Sequence, residues 1–198
     1  MTDRLDLRRR LHQVAFTQHG YFTASQAKSV GYTYQAQKYH VDRGNWLRVD
    51  RALFRLAEWP TSSDDAFVRW WVWSEGRGVL SHQSAAEAHG LGKLDPTRVH
   101  LTMPIGVTTG NSLVSIHNFT LTADDIESRS GFAVTTPTRT VLDLASVEIT
   151  QEQLVAAIAA SLRAGSLRSR TLRQRMDAFG SHAALRLERA LATVEGDS

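Results

Sequence analysis

The sequence predicts an α+β protein: a winged helix-turn-helix over residues 1–60, then a mixed α/β domain with a helical C-terminus over residues 61–198. Three observations lead there. The stretch Gly20–Leu56, GYFTASQAKSVGYTYQAQKYHVDRGNWLRVDRALFRL, reads as a helix, a glycine turn, a second helix and a two-stranded ribbon. Basic charge is concentrated in the same part of the chain: residues 1–60 hold ten Lys and Arg against five Asp and Glu, residues 61–198 thirteen against fifteen. Beyond Pro60, short alternating strand patterns are interleaved with capped helices, and the last fifty residues are helical in pattern.

Composition narrows the function classes. An apolar share of 42% and a charged share of 22% suit a water-soluble globular chain of 198 residues, enough for two small domains. The chain has no signal-peptide pattern and no apolar run of spanning length, so a cytoplasmic location without membrane association is expected. The absence of cysteine excludes disulfides and thiolate metal sites. The basic excess of the first sixty residues is the electrostatic pattern that phosphate binding requires.

In order, residues 4–18 place Leu7, Leu11, Val14 and Ala15 at helical spacing, with Arg8-Arg9-Arg10 on the solvated side and Gly20 closing the helix. Thr23 and Gln26 form a capping box for a short helix that Gly31 stops, because glycine enters the left-handed region without a Cβ clash. Thr33 caps a second helix running to about Arg43, with Ala36, Tyr39 and Val41 facing inward. Trp46–Val49 and Leu53–Leu56 flank an Asp50-Arg51 turn as a wing-like hairpin.

This module presents the chemistry of a DNA reader. Glutamine offers donor and acceptor together to an adenine edge, hydroxyls bond bases or phosphate, and ribbon arginines reach the backbone or minor groove. The candidate DNA-binding residues are Thr23, Tyr32, Thr33, Tyr34, Gln35, Gln37, Lys38, Arg43, Arg48 and Arg51, with Arg55 further along the ribbon. The alternative is a three-helix domain with a solvated polar face that sequesters a protein partner without binding DNA.

Past Trp59-Pro60, Thr61-Ser62-Ser63 precede a helix starting at Asp64-Asp65 whose Phe67, Trp70, Trp71 and Trp73 surround it with rings, the pattern of a buried helix. Val79-Leu80 reads as a strand, and Ser84 with Glu87 as a capping box for a helix ending at Gly90 or Gly92. Arg98–Met103, Leu113–His117 and Phe132–Val134 alternate as strands, with Asp124–Ile126 a turn. Thr138 is placed to cap a helix on whose surface Arg139 and Asp143 pair at i,i+4. Thr150 and Gln153 open another helix, and an arginine-rich tail follows as two helices divided at Gly180-Ser181.

Three of these stretches resemble the AbiEi-type antitoxins of type IV toxin–antitoxin systems: the GYFTASQAKSVG…HVDRGNWLRVDRALFRL module, VLSHQSAAEAHGL followed by VHLTMP, and TTPTRTVLDLA with its helical sequel. The resemblance covers about residues 10–170. It implies a transcriptional repressor whose winged helix binds its own promoter as double-stranded DNA, on repeats that favour self-association. It also implies a second, antitoxin domain that neutralises a nucleotidyltransferase-like toxin. Ser81, His82, Ser84, Pro137, Thr138, Arg139 and Asp143 then occupy family-typical positions without a catalytic role. Some similar chains continue into a Vsr-like endonuclease domain, and none is expected here.

No enzyme is expected. Ser81-His82 with Glu87 and Asp143 is the best catalytic set, but adjacent Ser and His do not converge unaided and no G-x-S-x-G elbow is present. The eight histidines include no H-E-x-x-H or comparable spacing, and Gly76-Arg77-Gly78 lacks the rest of a phosphate loop. Neither a metal nor a cofactor is therefore expected.

Overall fold

A computed structural model of the chain describes residues 4–196. It is a mixed α/β protein with two separate sheets, one of three strands and one of five. Two compact units emerge: residues up to Arg77 together with Arg129–Phe132, and Gly78–Ser128 with the chain from Ala133 onward.

The first unit runs α1 (Arg4–Phe16), β1 (Tyr21–Thr23), α2 (Ala24–Val30), α3 (Tyr34–Asp42), β2 (Trp46–Asp50), β3 (Leu53–Leu56) and α4 (Asp65–Trp73). The capping box at the start of α2 forms as its residue types dictate: Thr23 Oγ1 accepts from the Gln26 N–H while the Gln26 side chain accepts from the Thr23 N–H. Gly31, at φ +121°, ends α2, where an added Cβ would lie 2.8 Å from Leu7. Strand β3 is central, antiparallel to both β1 and β2, with a bulge between Arg48 and Asp50. Leu11, Ala15, Phe22, Ala27, Tyr32, Trp46, Phe54 and Leu56 make the core. Phe22 and Tyr32 each meet Trp46 edge-on, Phe22 at 4.8 Å and 81°, while Phe54 packs tilted against Phe22 and Trp46.

The second unit is built on a sheet of β4 (Val79–Leu80), β5 (Val99–Met103), β6 (Val114–Asn118), β7 (Ile126–Arg129) and β8 (Phe132–Thr135) in the order β6-β5-β4-β8-β7. β4 pairs antiparallel with β5 and parallel with β8, and β5 pairs parallel with β6. The helices are α5 (His82–His89), α6 (Pro137–Ala145), α7 (Gln151–Arg163), α8 (Ser169–Arg175) and α9 (Ser181–Gly196). Their apolar faces meet in a core that includes Leu142, Leu144, Leu154, Ile158, Leu172, Leu187 and Leu191. Leu154 with Ile158 and Leu187 with Leu191 stand four residues apart, so burying these faces keeps their helices in place.

Three local features differ from what the sequence predicts. Ser84 and Glu87 do not cap α5: the helix begins earlier, at His82, and the Ser84 hydroxyl accepts the His100 N–H at 2.9 Å. Thr136, one residue before Pro137, caps α6, because proline fills the first helical position without needing an N–H donor bond. Ile126–Arg129 is a strand after a 3-10 turn at Ala123–Asp125; its polar sequence carries too little alternation to announce an edge strand.

Three of the tail arginines, Arg173, Arg175 and Arg186, are engaged within the unit. Arg186 donates to the carbonyls of Ala145, Val147 and Ile149 at 2.6–2.9 Å, satisfying the groups left open as the chain leaves α6. Arg173 pairs with Glu188 and Glu195.

Candidate nucleic-acid interface and a buried ion cluster

In the first unit, α3 leaves a polar face in solvent. Thr33 accepts the Ala36 N–H at 3.2 Å as the helix cap, and Thr33, Tyr34, Gln35 and Lys38 are all exposed. Tyr34 is 66% exposed, and the Lys28 ammonium from α2 lies 5.4 Å from its ring centre. Lys38 pairs with Asp42 at 2.5 Å, one turn on, and exposed Arg43 lies over the Tyr39 ring. On the hairpin, Arg48 and Arg51 are exposed, with the Arg48 guanidinium over Phe54.

Three residues of the expected DNA-binding set serve the fold instead. Gln37 is 3% exposed, and its amide donates to the carbonyls of Ala24 and Tyr32. Its side chain stitches α3 to the start of α2 and the intervening turn, leaving no donor–acceptor pair for a base. Tyr32 is a core ring against Trp46, and Thr23 is buried as the α2 cap. Two further orientations differ. Arg55, expected on the ribbon to reach the DNA backbone or the minor groove, is buried with Asp65 at 2.8 Å and the Pro60 carbonyl. Tyr39, expected inward, is 54% exposed, and Gln37 is the buried residue of α3.

In the second unit the four residues weighed as a catalytic set do not converge. Ser81 and His82 are buried and joined by a 3.0 Å hydrogen bond between Oγ and Nδ1, but Glu87 points to solvent. Asp143 belongs to a different cluster. Arg139 and Asp143, expected on a helix surface, are both 3% exposed, with Arg139 Nε donating to Asp143 Oδ1 at 2.8 Å. The same guanidinium donates from Nη1 to Asp125 Oδ2 at 3.0 Å, and Arg175 also binds Asp125. Rings of Phe119 and Phe179 lie 4.6 and 5.1 Å from the Arg139 guanidinium carbon.

The two carboxylates are driven in opposite directions. Burial pushes the Asp143 carboxyl up to about 6, the charge and hydrogen bond of Arg139 offsetting only part of that cost. Its Oδ2 is buried without a hydrogen-bond partner. Burial also works against ionised Asp125, but the Arg175 hydrogen bond, the Thr122 N–H and two guanidinium charges hold it below the ordinary carboxylate value. Asp125 and Arg175 escape the sequence reading because fifty residues separate them and no local pattern joins them.

Residues 77–193 match the family described as the AbiEi antitoxin C-terminal domain. The chain belongs to the AbiEi antitoxin family. No curated protein gives a match. Among solved structures it is similar to the crystal structure of the RV2827C protein from Mycobacterium tuberculosis, with a TM-score of 0.62 and 15% identity. That similarity covers 95% of this chain and 77% of the other, and it establishes shared fold. Among the described residues, no helix is long and apolar enough to cross a membrane.

Proposed function

We propose that this antitoxin binds operator DNA through a winged helix-turn-helix within residues 1–60, represses its own operon, and uses residues 61–198 to neutralise a nucleotidyltransferase-like toxin. The observation that carries the DNA half is the exposed polar face of α3, where Thr33, Tyr34, Gln35 and Lys38 stand beside one another at the front of a helix. The order of three helices and a two-stranded ribbon supports it, because that is the arrangement in which a second helix enters the major groove. Gln35 is then the base reader, and Arg48 and Arg51 neutralise phosphates from the hairpin. Arg43 completes the basic end of the helix. Family membership supports the toxin half.

Fluorescence anisotropy on the upstream region of the protein's own gene, across a salt series, tests the reading. Binding weakens steeply as salt rises, with a slope of about −0.9 for each phosphate contacted. Arg48→Ala and Arg51→Ala each reduce that slope by about 1, while Gln35→Ala relaxes base preference at a cost of about 1–3 kcal/mol. A protein that ignores its upstream DNA at low salt while still binding the toxin would be a protein-sequestering module, and the DNA assignment would fail.

A further inference from the structure

We propose that His82, His100 and His117 form a three-histidine site for a divalent transition-metal ion, zinc above all. The three come from separate elements: His82 opens α5, His100 lies on β5 and His117 on β6. One ring nitrogen from each lies within 4.8 Å of those of the other two. His100 Nδ1 and His117 Nε2 are 2.9 Å apart, and the His82 ring stacks on His117 with centroids 3.5 Å apart. Tetrahedral zinc at about 2.0–2.1 Å from each nitrogen needs ligand atoms about 3.3 Å apart. Reaching that spacing requires the 2.9 Å His100–His117 pair to open by about 0.4 Å and the wider separations, up to 4.8 Å, to close.

Two features besides proximity point to a ligand. The Ser81 hydroxyl bonds His82 Nδ1, which orients the ring and leaves Nε2 available, as the outer partner of a metal-bound histidine does. Thr102 is 2% exposed, and its Oγ1 has no hydrogen-bond partner. It stands two residues from His100 on the same face of β5 and opposite His117 in the parallel register. A hydroxyl there is placed to bond a water in the fourth coordination position. His82 also has φ +51°, a left-handed conformation that side chains rarely adopt, at the point where the chain must turn its ring toward β6.

Local spacing hides the site, since eighteen and seventeen residues separate successive ligands and only the β4–α5 turn and the β5–β6 pairing bring them together.

Zinc titration of the full-length, chelator-treated protein by calorimetry tests this directly. Wild type takes up one equivalent, and its thermal midpoint rises with zinc concentration. His117→Ala and His100→Gln weaken binding by more than roughly 100-fold, exceeding the 10–100-fold effect of losing an outer partner, whereas His182→Ala at an exposed position leaves it unchanged. X-ray absorption on the zinc-loaded wild type counts three imidazoles, a readout independent of whether any variant folds. Absence of binding, unchanged binding in the ligand variants, or fewer than three imidazole ligands would overturn the assignment.

Discussion

Arg139 and Asp143 sit one helical turn apart, joined by a 2.8 Å hydrogen bond, and neither side chain is more than 4% exposed. On a solvated helix such a pair contributes a few tenths of a kcal/mol. Buried, it changes character, because each charge has lost its hydration and depends on the other. Arg139 is the hub: it alone among the described residues bonds both Asp125 and Asp143.

Replacing the hub therefore leaves Asp143 in the interior without its main counter-charge and Asp125 with Arg175 as its remaining partner. Arg139→Met is expected to destabilise the second unit by about 3–5 kcal/mol. Urea unfolding followed by far-ultraviolet circular dichroism measures it, since all five tryptophans lie between residues 46 and 73 and report on the first unit. A loss below about 1 kcal/mol would mean the cluster is hydrated in solution.

Asp143 also sets a pH dependence. Its folded value of about 6 lies above the ordinary 3.8 of the unfolded chain, so between those values the folded protein holds a proton the unfolded chain has released. Its contribution to stability is therefore greatest below about pH 4 and declines as pH rises through 6. Asp125, depressed, contributes in the opposite sense: its stabilisation is present above its unfolded value and fades as acid protonates it. Asp143→Asn should remove the decline between pH 4 and 6. Equal pH slopes in wild type and variant over that window would show that Asp143 does not titrate there.

Gln35 and Gln37, two residues apart on α3, should separate binding from stability. Gln37→Ala strands the Ala24 and Tyr32 carbonyls and is expected to cost about 1–3 kcal/mol in tryptophan-monitored unfolding. Gln35→Ala, at an exposed position, should stay within about 0.5 kcal/mol of wild type. A stability loss for Gln35→Ala equal to that of Gln37→Ala would place both side chains in the fold.

What the residue order settled alone is local: the α2 capping box at Thr23 and Gln26, the stop at Gly31, the ribbon from Trp46 to Leu56, the box at Thr150 and Gln153. Each depends on atoms within four residues or on a turn between neighbouring strands, so its energetics are written in a short window. Tertiary structure alone decided which polar side chains face water. Gln37, Arg55, Arg139 and Asp143 carry residue types that default to the surface, and burial reassigned them because partners at Ala24, Asp65 and Asp125 compensate their lost hydration. The meeting of His82, His100 and His117 is likewise a product of strand pairing, since register across a sheet is a long-range choice that no window of sequence contains.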